Sequence, residues 1–298
     1  MGQREGAVLM LLNAFADHLD ELARRTWFNV TEAKRLGMRM GEVTITEANL
    51  LSIAQFIATT GLSAELVPTK ADEAVTGADF EIWFDIGGAV LGYTFQAKVL
   101  MVGSRTFSYP GIGKKDKTGT EQSELLEHQA IAVGAFPFHV LFNGWDAGLA
   151  GAPTLPSGWP ARHFGCAAIA TPEVRRIRSS RSTRRPVKAG HFLPSSFPWS
   201  HLFRLASSTA PSAPGGSTAI GDTGAGGSRG AGYEILPGDP VDIEALAQLA
   251  RQLMVGHHHD FGSATNLPEY VRQTLEGEPG SVEQGQYAPK FAIVIRRG

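Results

Sequence analysis

The chain has 298 residues, 43% of them hydrophobic and 19% charged, with a formal net charge of −2. Such a composition supports a sizeable core in one large domain or two ordinary ones, and excludes a fibrous or wholly disordered chain. The near-neutral balance gives no global pull toward nucleic acid or a membrane surface, so a partner of that kind needs a local patch.

Residues 5–25 pattern as an amphipathic helix, because Val8, Leu11, Leu12, Phe15, Leu19 and Leu22 recur at helical spacing. The apolar run at 8–16 is too short to span a bilayer and no cleavage site follows it, so neither a membrane anchor nor a signal peptide is expected. A second helix is expected over "TITEANLLSIAQFIATTG", capped by Thr44 or Thr46 and stopped by Gly61. "SAELVPT" reads as a short edge strand, and residues 79–100 as one long β-hairpin. "GIGKKDKTGTEQ" reads as a mobile loop, "EQSELLEHQAIAVGA" as a helix, and "FPFHVLFN" as a fully buried strand. After Asn143 the pattern weakens. "GCAAIATPEVRRI" reads as a strand leading into a helix. The lone Cys166 within it cannot close an internal disulfide, which suits a cytoplasmic location, and its plainest role is that of a small buried hydrophobe. The Ser/Gly/Ala/Pro tract at 207–232 is too poor in large apolar side chains to offset chain entropy and is expected to be a disordered insertion. A capped helix ("DPVDIEALAQLARQLM"), a shorter helix after Pro268 and a final strand ("FAIVIRR") complete the chain.

The hairpin carries the chemistry. With Gly87 and Gly88 as the central pair of a two-residue turn, opposed residues sum to 175, which sets Asp79 across from Gln96 and Glu81 across from Thr94. Alternation then gives one face Phe80, Ile82, Phe84, Ile86, Ala89, Leu91, Tyr93, Phe95, Ala97 and Val99, an uninterrupted core face. The other face carries Asp79, Glu81, Trp83, Gln96 and Lys98, with the charges gathered away from the turn. Carboxylate and amide oxygens suit Mg²⁺, a hard ion that keeps several waters and bridges to phosphate, and a neighbouring Lys suits the charge of a phosphoryl transition state. The plain alternative is an exposed sheet face with incidental cross-strand pairs.

These residues resemble the PD-(D/E)XK nucleases, within them an uncharacterised bacterial group with a GADW-like strand and a QAK strand. The resemblance covers roughly residues 40–145. It implies a restriction-endonuclease-like α/β core of order α-β-β-β-α-β, a mixed sheet flanked by helices, with residues 1–40 as an N-terminal helical segment, 41–145 as the core and 146–298 as a C-terminal extension. Asp79 matches the signature Asp, and Gln96-Ala97-Lys98 matches the (D/E)-x-K in a Gln variant. The helix acid would be Glu47 or Glu42, and Gln122 would open the helix after the Lys strand as a contact to nucleic acid. The resemblance further implies a metal-dependent nuclease acting on DNA in preference to RNA, with Mg²⁺ (Mn²⁺ substituting) held by Asp79, Gln96 and Glu47 or Glu42, and Lys98 assisting catalysis. Antiphage or restriction work, alone, as a homo-oligomer or with a defence-system partner, is what such folds commonly serve. The neutral Gln96 replaces the usual third acid, so one weakly held metal is expected rather than two.

Seven basic residues stand between positions 175 and 188 with no acid among them; Arg181, Arg184 and Arg185, together with Lys114 and Lys115 in the loop after the QAK strand, are candidate phosphate contacts. The run His257, His258 and His259 suggests a zinc hydrolase, but three consecutive His cannot all point one way, and no accompanying metal motif is present. A non-catalytic module that keeps the nuclease fold to bind nucleic acid or a protein is the main alternative.

Overall fold

The structure, a computed structural model, describes residues 2–60, 62–68, 76–85, 90–103, 106–180, 188–204, 206–207, 234–235, 248, 250–252, 267–276 and 291–297. Apart from Ser207, the 207–232 tract outside 206–207 lies beyond these residues, as do the Gly87–Gly88 turn, the His run at 257–259, and Arg181, Arg184 and Arg185. Most of the helix expected at 239–254 does too.

Helix α1 (Gly2–Arg35) is longer than the expected 5–25. The stripe continues past Leu22 through Ala23, Thr26, Val30 and Ala33, all buried at helical spacing, although the intervening Arg24 and Arg25 mask it in a hydropathy reading. Helix α2 (Glu42–Ala58) starts earlier than expected. Its N-cap is Gly41, with no side-chain cap, and Glu42 in the first turn meets the positive end of the helix dipole. Thr46 is therefore not a cap but a buried residue inside the helix.

Seven strands form one mixed sheet: β1 (Leu62–Pro68), β2 (Phe80–Asp85), β3 (Val90–Val99), β4 (Phe136–Phe142), β5 (Cys166–Ala170), β6 (Phe197–Pro198) and β7 (Phe291–Arg297). Their spatial order is β1-β7-β2-β3-β4-β5-β6. β7–β2 and β3–β4 are parallel and the other neighbours antiparallel. The edge strand β1 and the buried strand β4 fall where the sequence put them. The boundary expected near 145 does not divide the sheet, because three of its strands come from the segment read as an extension. β7 enters between β1 and β2, where its Ala292, Ile293, Val294 and Ile295 are all buried.

Opposed residues of β2 and β3 sum to 175, from Phe80↔Phe95 to Asp85↔Val90, as the hairpin pattern predicts. The apolar face (Phe80, Ile82, Phe84, Leu91, Tyr93, Phe95, Ala97, Val99) joins α1 and α2 in the largest core cluster. The opposite face is not solvent-exposed. Helix α3 (Gln122–Val133), α4 (Thr171–Ser179) and α5 (Glu269–Glu276) cover it, Ala130, Val133, Tyr270 and Val271 packing with Trp83. Two helical layers thus sandwich the sheet. No helix among the described residues is long and apolar enough to cross a membrane.

Trp83 lies flat over Gly92, its partner across the strands; a Cβ at Gly92 would come within 2.3 Å of the indole ring. Gly92→Ala should displace Trp83 and lower stability by about 1–3 kcal/mol, the usual cost of overpacking. Urea denaturation followed by tryptophan fluorescence measures it.

Candidate functional site

Asp79 sits in a bend just before β2, where regular pairing with β3 ends. Its N–H donates to Phe95 O at 2.8 Å, and its Oδ2 accepts from the Ala97 N–H at 2.7 Å. The two bonds bracket Gln96, so Asp79 and Gln96 are neighbours. The Gln96 amide donates through Nε2 to Gly77 O at 2.9 Å, whereas its Oε1 is buried with no hydrogen-bond partner. Two residues further, on the same face of β3, Lys98 Nζ pairs with Glu42 Oε1 at 3.2 Å. Lys98 is buried, and the Glu42 side chain is 27% exposed. The acid that α2 brings to the site is therefore Glu42. Glu47 is exposed on that helix and takes no part in these bonds.

Gly77 joins the site to α3. It adopts φ +69°, and a Cβ there would meet Gln122 O at 2.3 Å and Leu126 N at 2.8 Å. Only glycine admits both the left-handed backbone and this close approach. Gln122 opens α3 and is buried; its N–H donates to Lys114 O at 3.0 Å. Lys114 and Lys115 are exposed. Their loop crosses the site, since a Cβ on Gly111 would lie 3.8 Å from Lys98 Cε. Arg178 of α4 pins this loop, donating to Ile112 O at 2.7 Å and to Glu121 Oε1 at 3.0 Å.

Part of the basic segment is thus taken up by ion pairs within the chain. Arg175 pairs with Glu127, Arg176 with Glu173, and Arg178 with Glu121. The acids come from outside the basic run or from its start on α4, which is why the run alone looked uncompensated.

The covered face also holds His139, which the sequence reading did not single out, and Glu81, which it placed on this face without foreseeing its burial. His139 of β4, the register partner of Gln96, shares a 3.0 Å hydrogen bond between Nδ1 and Thr171 Oγ1, and its Nε2 has no partner. Burial, then the charge of Lys98, pushes its pKa down to about 3, so the ring is neutral at physiological pH. The signal was present: His139 is the single polar residue inside an otherwise apolar strand. Glu81 is fully buried, accepting from Trp83 Nε1 at 2.7 Å and from the Tyr270 hydroxyl. Burial raises its pKa from 4.5 to about 7.

The site's donors are two carboxylates, Asp79 and Glu42, and one amide oxygen. Among the described residues, no group of three or more His, Cys, Asp or Glu could hold a metal ion. The buried, unpartnered Gln96 Oε1 beside Asp79 suits a hard cation that completes its shell with water.

Two predictions separate roles here. Glu42→Ala leaves the buried Lys98 without its carboxylate and should cost about 1–3 kcal/mol, less than a wholly buried pair because Glu42 is part exposed; Glu47→Ala should change stability by no more than about 0.5 kcal/mol. Chemical denaturation compares them. For Glu81, the folded state holds its proton more tightly than the unfolded state. That stabilisation is fully present below about pH 4.5 and is lost as pH rises to about 7. Glu81→Gln should remove this component of the pH dependence, seen as a flatter melting temperature between those limits.

No curated protein and no solved structure matches the chain. A family profile described as a family of unknown function (DUF6615) matches residues 15–298, and the chain belongs to that family.

Proposed function

We propose that this protein is a metal-dependent nuclease that hydrolyses phosphodiester bonds, with DNA preferred to RNA. One observation carries the reading: Asp79 brackets Gln96 at the start of β2 while Lys98, two residues on, is paired with Glu42 from α2. These are the positions at which the PD-(D/E)XK resemblance expects its Asp, its variant third residue, its Lys and its helix acid. The order α2-β1-β2-β3-α3-β4 also follows that core, and the parallel β3–β4 pair with α3 as its crossover supports it. The interposed β7 is a departure.

Asp79, Gln96 and Glu42 would hold Mg²⁺ or Mn²⁺. Such an ion, when bound, supplies charge compensation for phosphate and a more acidic water. Asp79 is oriented by the Ala97 N–H and Gln96 by Gly77 O, so neither oxygen ligand has to be ordered at the moment of binding. Lys98, held in place by its pair with Glu42, would donate to the attacked phosphate or to the incoming water. Gln122 at the start of α3 and the exposed Lys114 and Lys115 stand where the flanking backbone would pass.

The burial of Asp79, Gln96 and Lys98, at 9%, 1% and 3% exposed, favours a second reading in which the fold binds nucleic acid or a protein without cutting. Incubation with supercoiled DNA, linear DNA and RNA, with and without Mg²⁺ or Mn²⁺, decides between them. Metal-dependent cleavage is expected, lost in EDTA and lowered about 100-fold or more by Asp79→Asn, Lys98→Ala or Gln96→Leu. Full activity in Asp79→Asn or Lys98→Ala would refute the assignment to this site.

A further inference from the structure

The layer between the sheet and helices α3 and α4 contains a closed ring of polar residues. Gln96 of β3 and His139 of β4 are register partners in a parallel pair, so their side chains stand together on the covered face. His139 Nδ1 shares its hydrogen bond with Thr171 Oγ1 at the start of α4. Arg175 stands one turn further along α4 and pairs with Glu127 of α3. Ser123 lies one turn before Glu127 on α3, and both are buried. Ser123 adjoins Gln122, whose carbonyl abuts Gly77, and Gly77 O accepts from Gln96 Nε2, which closes the ring. Within it, Gln96 Oε1, His139 Nε2, Ser123 Oγ and Glu127 Oε1 have no hydrogen-bond partner among the described residues. Their residues are 1%, 0%, 1% and 5% exposed, so bulk solvent does not serve these atoms.

We infer that water bound inside this ring holds the Gln96 amide, and that His139 is a positioning residue acting on Gln96 through it. The water site follows from the hydrogen bonds alone, whereas its consequence for a metal at Gln96 rests on the nuclease reading. Each buried polar atom left unpaired costs about 1–3 kcal/mol. Internal water typically makes about three hydrogen bonds to such atoms, and polar neighbours beyond direct bonding reach are the ones it bridges. The ring offers it two acceptors, the amide and carboxylate oxygens, beside a hydroxyl that both donates and accepts. The charges favour a neutral occupant. The carboxylate of Glu127 already pairs with Arg175, and the charge of Lys98 reaches His139, so a cation gains little there, while an anion would meet Glu127. Gln96 Oε1 carries two lone pairs. Accepting from the water leaves one for a cation, and the amide plane is then fixed at both ends, by the water at Oε1 and by Gly77 O at Nε2.

The test uses the full chain, first without metal. Oxygen-17 magnetic relaxation dispersion counts long-lived internal waters and reads their residence times. His139→Phe keeps a flat ring in an otherwise apolar strand, removes the polar atom and takes up the space, and should lose about one such water. His139→Gln carries an amide to about the place of Nε2 and should keep it. Ser123→Ala deletes a single oxygen and should shorten the residence time, so the site can be read even where a substitution at the buried His139 fails to fold. Mn²⁺ is then titrated and followed by electron paramagnetic resonance. Its affinity should fall about tenfold or more in His139→Phe and recover in His139→Gln, which a merely structural role would not produce. An unchanged dispersion in both Ser123→Ala and a folded His139→Phe overturns the water site. A lost water with parental Mn²⁺ affinity in His139→Phe overturns the positioning role and leaves the water site standing. A parent that holds the water but neither binds Mn²⁺ nor cuts nucleic acid overturns the nuclease reading and leaves the water site standing.

Discussion

A slip of one residue between β2 and β3 would turn one strand's side chains to the opposite face, and the rest of the molecule hangs on that register. In the observed pairing Phe80, Ile82, Phe84 and their partners turn toward α1 and α2. Were β2 the strand that turned, Glu81 would enter that apolar cluster; were it β3, Lys98 would. Each outcome buries charge without a partner, at a cost of several kcal/mol. The hydrophobic pattern therefore fixes the site as firmly as it fixes the core. The alternation that seals one face also sets Gln96 and Lys98 side by side on the other, and the end of the pairing leaves Asp79 free to bend across Gln96.

That second face is costly. Glu81, Thr94, Gln96, Lys98 and His139 are all buried beneath helices, and Glu81 Oε1, Thr94 Oγ1, Gln96 Oε1 and His139 Nε2 have no hydrogen-bond partner. A layer between sheet and helix would be more stable filled with Val and Leu. Toward α5 the layer does become apolar, with Trp83, Val133, Val271 and Val294 together. The polar groups run along β2, β3 and β4, from Glu81 against Tyr270 of α5 to His139 against Thr171 of α4, with Gln96 and Lys98 between them near Gly77. Local concentration of uncompensated polarity inside an otherwise ordinary core is the physical sign that this end of the sheet serves something besides stability.

Much of the sheet was legible because its patterns are local. The register of residues 79–99, the edge strand before Pro68, the buried strand over 136–142 and the terminal strand each announce themselves by period or by continuous apolarity. Three features did not. The extension of α1 past residue 25 is hidden by Arg24 and Arg25, which point outward while the buried stripe continues. The insertion of β7 between β1 and β2 depends on pairing across more than two hundred residues, to which no local pattern is sensitive. The burial of the polar face was invisible because alternation says which residues share a face, not what covers it. Of the two helix acids, residue type and position left both open; only the packing of α2 distinguishes Glu42, which reaches Lys98, from Glu47, which faces solvent.

Gln96 is the residue where structure and chemistry constrain each other most. At 1% exposure a carboxylate would be expensive unless matched by a cation, and the nearest cation, Lys98, is already shared with Glu42. The amide avoids that cost, and its two ends do different things. Nε2 donates to Gly77 O and so holds the glycine turn that presents Asp79 and abuts α3; Oε1 is buried with no hydrogen-bond partner. A Glu in its place would set a carboxylate oxygen against the Gly77 carbonyl, losing the donor that closes the turn. A third acid at this position, as the proposed nuclease reading would otherwise expect, thus conflicts with the turn that positions Asp79. The Gln keeps the oxygen and the turn together, and leaves this end of the sheet with one negative charge fewer than a Glu would.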